Sequence, residues 1–256
     1  EILNLSNYCK KIGIDFSSTP YSEKEVDFLI DKCSASFIKI ASMDINNYLF
    51  LKYIAKKNIP IVLSTGMATM NDIDAAINAV EEAGTIRSLI TVLHCTTEYP
   101  APMAEVNLLS MNSIKRAFGV EVGYSDHSEG IEVAIAAAAL GATVIEKHFT
   151  LDKNLPGPDH MASLQPDEFK DMVSAIRNIE IALGDGIKRL MPSELRNKFV
   201  ARKSLVAKKA IKAGEELTAE NITAKRPGTG ISPMLWDEII GRAAVRDFAE
   251  EELIEL

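Results

Sequence analysis

VEVGYSDH at 120–127, GIEVAIAAAALG at 130–141 and ATVIEKHF at 142–149 decide the fold. The two outer runs are β-rich and of strand length, while the middle run carries apolar residues at helical spacing and stops at Gly141. Two such strands joined by a helix form a right-handed βαβ unit of a parallel sheet. The alternation continues upstream. GIDFSST (13–19), SFIKIAS (36–42), PIVLST (60–65) and LITVLHCT (89–96) read as buried strands. DIDAAINAVEEAG (72–84) and DEFKDMVSAIRNIEIALGDG (167–186) read as amphipathic helices, with Gly84 and Gly184 as stops.

Six units are visible, whereas a closed barrel of this kind has eight. Polar residues gather just after the strands, where barrels and open α/β sheets place their sites. No G-x-G-x-x-G turn accompanies them, which disfavours a nucleotide-binding open sheet. The expected fold is therefore a TIM (β/α)8-type barrel over residues 1–186, with about six of eight βα units in this chain. A polar, Pro-interrupted linker is expected at 187–200. A small β-rich domain is expected at 201–256, with turns at Ala213-Gly214 and Pro227-Gly228-Thr229-Gly230.

The 256 residues are 47% hydrophobic, enough for one large domain and one small one. A net charge of −8 with dispersed Lys and Arg argues against nucleic-acid and anionic-membrane partners. No apolar run reaches membrane-spanning length and no signal peptide opens the sequence, so a cytoplasmic location is expected. Cys9, Cys33 and Cys95 lack metal or disulfide spacing and read as free thiols, Cys95 as a small buried hydrophobe.

His127 and His148 end two successive strands. Adjacent barrel strands would bring their imidazoles to one level over the mouth, a plausible divalent-metal site with open positions. His94 and His160 have no such partner and favour structural or substrate-contact roles. Thr19, Lys39 with Ser42, Ser64, Thr96 with Thr97, and Ser125 fall at consecutive strand ends and could ring a phosphate. A lysine at position 39 of a strand buried on both faces is costly unless an anion meets it. Asp44, Glu146 and Asp159 are the carboxylates nearest this mouth.

Most of these residues fall within a set of ordered motifs: S-T-P-Y (18–21), F-I-K-I-A-S (37–42), S-T-G-M (64–67), Tyr99-Pro100, G-Y-S-D-H (123–127), E-K-H-F-T (146–150), G-P-D (157–159) and K-R-P-G-T-G-I (225–231). In this order they resemble the sialic acid synthases, which make N-acetylneuraminate, legionaminate and related acids, and the last motif resembles their C-terminal antifreeze-like, or SAF, domain. The resemblance implies condensation of phosphoenolpyruvate with an N-acetylmannosamine-type sugar and a divalent metal, manganese above magnesium or cobalt. It implies His127 and His148 as metal ligands. Thr19, Lys39, Ser42, Ser64 and Ser125 become phosphoenolpyruvate contacts, and Tyr99, Glu146 and Asp159 hold the sugar or assist proton transfer. Glu146, Lys39 and Tyr99 are the expected catalytic set. Arg226 resembles the arginine that the family inserts into its partner's site, implying a domain-swapped homodimer. Thr97 stands where neuraminate synthases carry Asn, and Asp44 where they carry Glu. The family's N-terminal E-I-G-x-N-H-x-G strand is not in this sequence, which therefore begins at about the third unit. G-P-D-H-x-A-S-L leans toward N,N'-diacetyllegionaminate synthases, and a non-catalytic saccharide-binding or assembly module is the rival from another class.

Overall fold

The computed structural model describes residues 1–256, which divide into compact units at Glu1–Asp185 and Gly186–Leu256. In the first unit the chain runs α1 (Ile2–Ile12), α2 (Glu23–Asp31), β1 (Ile38–Ile40), α3 (Tyr48–Ala55), β2 (Ile61–Ser64), α4 (Met70–Glu82), β3 (Ile90–Cys95), α5 (Leu109–Phe118), β4 (Glu121–Asp126), α6 (Glu132–Ala139), β5 (Ile145–Lys147) and α7 (Pro166–Leu183). The five strands are parallel and ordered β1-β2-β3-β4-β5, each joined to the next through a helix on one face.

Strand alternation sorts the side chains. Ile38 and Ile40, Ile61 and Leu63, Ile90 and Val92, and Val122 and Tyr124 turn toward the helices and join Leu51, Ile54, Ile73, Ile77, Met111 and Ile114 in the main core. Each fully buried aliphatic side chain there contributes roughly 1.5–3 kcal/mol. The opposite face carries Lys39, Val62, Ser64, Leu93, Gly123, Ser125 and Glu146. Lys39 on one edge strand reaches Glu146 on the other, Nζ to Oε2 3.5 Å. In a flat sheet with strands ~4.8 Å apart those edges would lie roughly 19 Å from each other. The sheet is therefore curled into a half-barrel with this face inside, the barrel-type α/β architecture that the strand-helix alternation implies. Gly123 permits close packing on the inner wall, since a Cβ there would lie 2.4 Å from the Val144 carbonyl oxygen.

Helix ends follow their sequence signals. Thr69 and Asp72 form a reciprocal capping box at the start of α4, and Gln165 and Glu168 form another at α7, which opens on Pro166. One expectation fails. Residues 13–19 form no ladder with β1, so the curled sheet has five strands rather than six. The Ser17 hydroxyl donates to the Phe37 carbonyl at 2.8 Å, occupying the acceptor that a neighbouring strand's N–H would use.

In the second unit, residues 187–200 carry a short 3-10 turn at Pro192–Glu194 and most of α8 (Leu195–Ala201). Strands β6 (Ser204–Ala207) and β7 (Ile222–Lys225) pair antiparallel, and α9 (Trp236–Ile239) follows. Leu205, Ile211, Leu217, Ile222, Phe248 and Ile254 form a separate core. No helix in either unit is long and apolar enough to cross a membrane.

His94 points to the helix side, where its Nε2 donates to the Val106 carbonyl at 2.8 Å and its ring packs on Tyr124. Burial holds its pKa below the ordinary histidine range despite that hydrogen bond. A depressed folded pKa means that the unfolded chain takes up the proton first, near pH ~6.5. The stability contribution is complete above that pH and is lost as pH falls through the folded value. His94→Gln keeps a donor for Val106 and should flatten this loss, measured as urea midpoints between pH 7.5 and 5.

Candidate active site

At the C-terminal ends of the strands, Thr19, Tyr21, Lys39, Ser42, Ser64, Thr97, Tyr99, Ser125, His127, Glu146 and His148 line one open cavity of about 340 Å³. The curl places most of these residues together, because their side chains rise from successive strand ends on the inner face, and Thr19 and Tyr21 join them from the segment before α2. Lys39 is 8% exposed and donates to the Ile40 carbonyl at 3.0 Å. Its neighbour Glu146 accepts from the Ser125 hydroxyl at 2.6 Å, so a cation, a carboxylate and a hydroxyl form a connected chain across the inner wall. Ser64 is 3% exposed, and its Oγ has no hydrogen-bond partner. A buried hydroxyl without a partner is uncommon, and this one belongs to a residue that lines the cavity.

The imidazoles of His127 and His148 converge with ring centroids 5.4 Å apart and planes inclined at 69°. His127 Nδ1 lies 2.7 Å from the Thr96 carbonyl oxygen. A carbonyl only accepts, so Nδ1 carries the hydrogen and the Nε2 lone pair is left for another partner. Burial lowers the His127 pKa, and His148 alongside lowers it further, favouring the neutral ring. Two imidazoles sharing one ion at nitrogen–metal distances of ~2.0–2.2 Å have centroids roughly 5 Å apart, so this spacing fits a shared cation. No group of three or more His, Cys, Asp or Glu side chains converges around the pair. Tyr99 covers the pair, 4.1 Å from the His127 ring and 5.5 Å from His148. Burial raises its pKa, and the nearby carboxylates of Asp159 and Glu146 raise it further, so the phenol stays protonated.

Asp159 lies beyond the cavity wall with Oδ2 4.0 Å from His148 Nδ1. Its loop is held by His160, whose Nδ1 sits 2.7 Å from the Thr150 hydroxyl, and by the Ser163 hydroxyl, which donates to the Asp159 carbonyl at 2.8 Å. His94 faces the helices. Asp44 accepts from Asn47 and does not line the cavity. Cys95 is buried against Ser42, Sγ to Oγ 3.3 Å. Arg226 is exposed in the second unit, on a loop pinned where Ser204 Oγ donates to Pro227 O at 2.6 Å and accepts from Gly230 N at 2.8 Å. That loop needs Gly228, because a Cβ would sit 2.6 Å from the Arg202 Cβ.

The NeuB family profile matches residues 1–188 and the SAF domain profile residues 202–255. The chain belongs to the NeuB family. An N,N'-diacetyllegionaminic acid synthase of Campylobacter jejuni is 52% identical over 247 residues, spanning 96% of this chain and 74% of that protein. A pseudaminic acid synthase of the same species is 41% identical over 235 residues, 92% of this chain and 67% of the relative. The crystal structure of an N-acetylneuraminic acid synthetase from Leptospira borgpetersenii, in complex with citrate, superposes with a TM-score of 0.70 at 32% identity, covering 76% of this NeuB chain and 67% of that one.

Two further cavity residues lie within the sequence motifs but had no assigned part. Tyr21 lies in the S-T-P-Y run without an assigned part, and Met67 follows Gly66 at positive φ. Gly66 itself matters by lacking a side chain. Its N–H donates to Ser42 Oγ at 2.9 Å, and a Cβ would fall 1.9 Å from Thr97 Oγ1 and 2.9 Å from Ser42 Oγ. Gly66→Ala should cost about 1–3 kcal/mol by overpacking. Adding Thr97→Ala should recover much of it, and urea unfolding of the two variants checks both statements.

Proposed function

We propose that this protein is a nonulosonate synthase, joining phosphoenolpyruvate to an N-acetylmannosamine-type sugar with release of phosphate. The observation that carries the reading is the sharing of one cavity by an anion-ready wall and a convergent imidazole pair. Lys39 supplies charge, and the hydroxyls of Thr19, Ser42, Ser64 and Ser125 supply oriented donors, for a phosphorylated three-carbon acid. The partnerless Ser64 hydroxyl is satisfied when an anion's oxygen meets it. Names of relatives that end in legionaminic, pseudaminic and N-acetylneuraminic acid agree with this class of product.

In the reaction the enol carbon adds to the sugar's aldehyde carbon, water adds to the resulting cationic centre, and the carbon–oxygen bond to phosphate breaks. Lys39 and the hydroxyl ring hold the phosphoryl oxygens while they accumulate charge. Glu146, oriented by Ser125, is placed to move a proton at the attacking water or the new hydroxyl. Tyr99 donates from above the histidines, and Asp159 accepts from sugar hydroxyls. His127 and His148 would hold a divalent cation, manganese or alternatively magnesium or cobalt, which supplies Lewis-acid polarisation of the aldehyde when bound. The same proposal includes a homodimer in which the partner subunit's Arg226 binds the acceptor's N-acyl group. The finer reading, a 2,4-diacetamido-6-deoxymannose acceptor, is supported by the 52% identity to the Campylobacter legionaminic acid synthase.

Phosphate release should require both a sugar acceptor and a divalent cation, and should stop on chelation. His127→Ala combined with His148→Ala should lower turnover at least ~100-fold; an unchanged rate would overturn the cation assignment. Lys39→Met should weaken phosphoenolpyruvate binding by about 10-fold or more, read as a rise in its KM. Product formation with N-acetylmannosamine against its 2,4-diacetamido-6-deoxy relative identifies the acceptor.

A further inference from the structure

Behind the two histidines lies a second pair of residues on the opposite face of the same strands. Asp126 precedes His127 and Lys147 precedes His148, and the two are direct partners in the β4–β5 ladder. Lys147 Nζ lies 3.0 Å from Asp126 Oδ2, with side chains 1% and 0% exposed. Lys147 also donates to the Ser128 carbonyl oxygen, while Asp126 Oδ1 accepts from Ser128 N at 2.9 Å and from Ser128 Oγ at 2.6 Å. Ser128 itself is fully buried.

Two charges withdrawn from water are expensive, and apolar residues of similar volume often fill such a place without loss of stability. What an apolar pair lacks is direction. The ladder between β4 and β5 is three residues long, and β5 is the edge strand. A slip of one residue would turn His148 away from the mouth and Lys147 into it. The ion pair opposes that slip, because Lys147 reaches both Asp126 and the Ser128 carbonyl only in the observed register. Ser128, bonded to Asp126, fixes the backbone on the far side of His127.

We infer that Asp126, Lys147 and Ser128 form a buried register lock that sets the spacing of His127 and His148, and that they are positioning residues for the cation. The inference rests on the cation reading given above. None of the three lines the cavity, so their influence passes entirely through the strand ends.

Mn²⁺ titration of the intact protein, followed by the electron paramagnetic resonance of free Mn²⁺, tests the lock without reference to turnover. In Asp126→Asn with Lys147→Met, no buried charge is left unpaired. This variant should melt within a few degrees of the parent while binding Mn²⁺ roughly 10–100-fold more weakly, as expected for groups that orient metal ligands. Parent-like Mn²⁺ affinity in the folded variant would overturn the lock alone. A parent protein that binds no Mn²⁺ would overturn the cation reading and the lock with it. If the double variant does not fold, Ser128→Ala removes only the hydroxyl bond to Asp126; a several-fold loss of Mn²⁺ affinity supports the lock, and unchanged affinity overturns it.

Discussion

Lys39 and Glu146 meet across the inside of a curved sheet although they belong to its two edges. Everything assigned to the cavity depends on that curvature. Hydroxyls at the ends of β1, β2 and β4 would stand in a row on a flat sheet, one and then two strand spacings apart and facing solvent. Curling turns the row into a ring and lowers the solvent around a lysine that would otherwise be a surface charge. With the carboxylate beside it, Lys39 remains a tolerable buried cation. The pair leaves Lys39 near-buried at the edge of an open cavity. The inner face is thus polar near the C-terminal strand ends and apolar below, at Val62 and Leu93, as suits a packed barrel floor.

The two faces of the strands do different work. The helix side is aliphatic and secures the fold through Ile38, Ile40, Leu63 and Val92. The inner side presents chemistry. Strict alternation lets adjacent residues in the chain serve opposite ends: His127 and His148 toward the cavity, Asp126 and Lys147 toward the helices. The second unit obeys a different logic. Its core is built on a short antiparallel pair and long irregular segments, and its loop at 226–230 is shaped by Ser204 and by the need for glycine at 228.

Much of this was legible in the residues. Five of the six expected strands are present, because continuous apolar runs flanked by Gly-stopped helices permit few alternatives. The sixth was not legible as a loop: GIDFSST has strand composition, yet it meets the chain before β1 through the Ser17 hydroxyl bond to Phe37 rather than through a ladder. The cavity lining was foreseeable from position at strand ends, since direction and level both follow from the two-residue period. Three kinds of feature were not. The role of Gly66 depends on the proximity of Thr97 and Ser42, far away in sequence. The burial of Asp126 and Lys147 depends on which face α6 and α7 cover. The protonated nitrogen of His127 depends on a carbonyl of another strand's loop.

That last contact has an evolutionary meaning. The atom that orients His127 is the main-chain oxygen of Thr96, so it survives any side-chain replacement at that position short of rerouting the loop. The hydroxyls that share the cavity with it come from the side chains of Ser42, Ser64 and Ser125, each of which one codon change can erase. Drift can therefore remodel the hydroxyl lining residue by residue while the contact that orients the imidazole is inherited intact, a division of one cavity between side-chain and main-chain atoms.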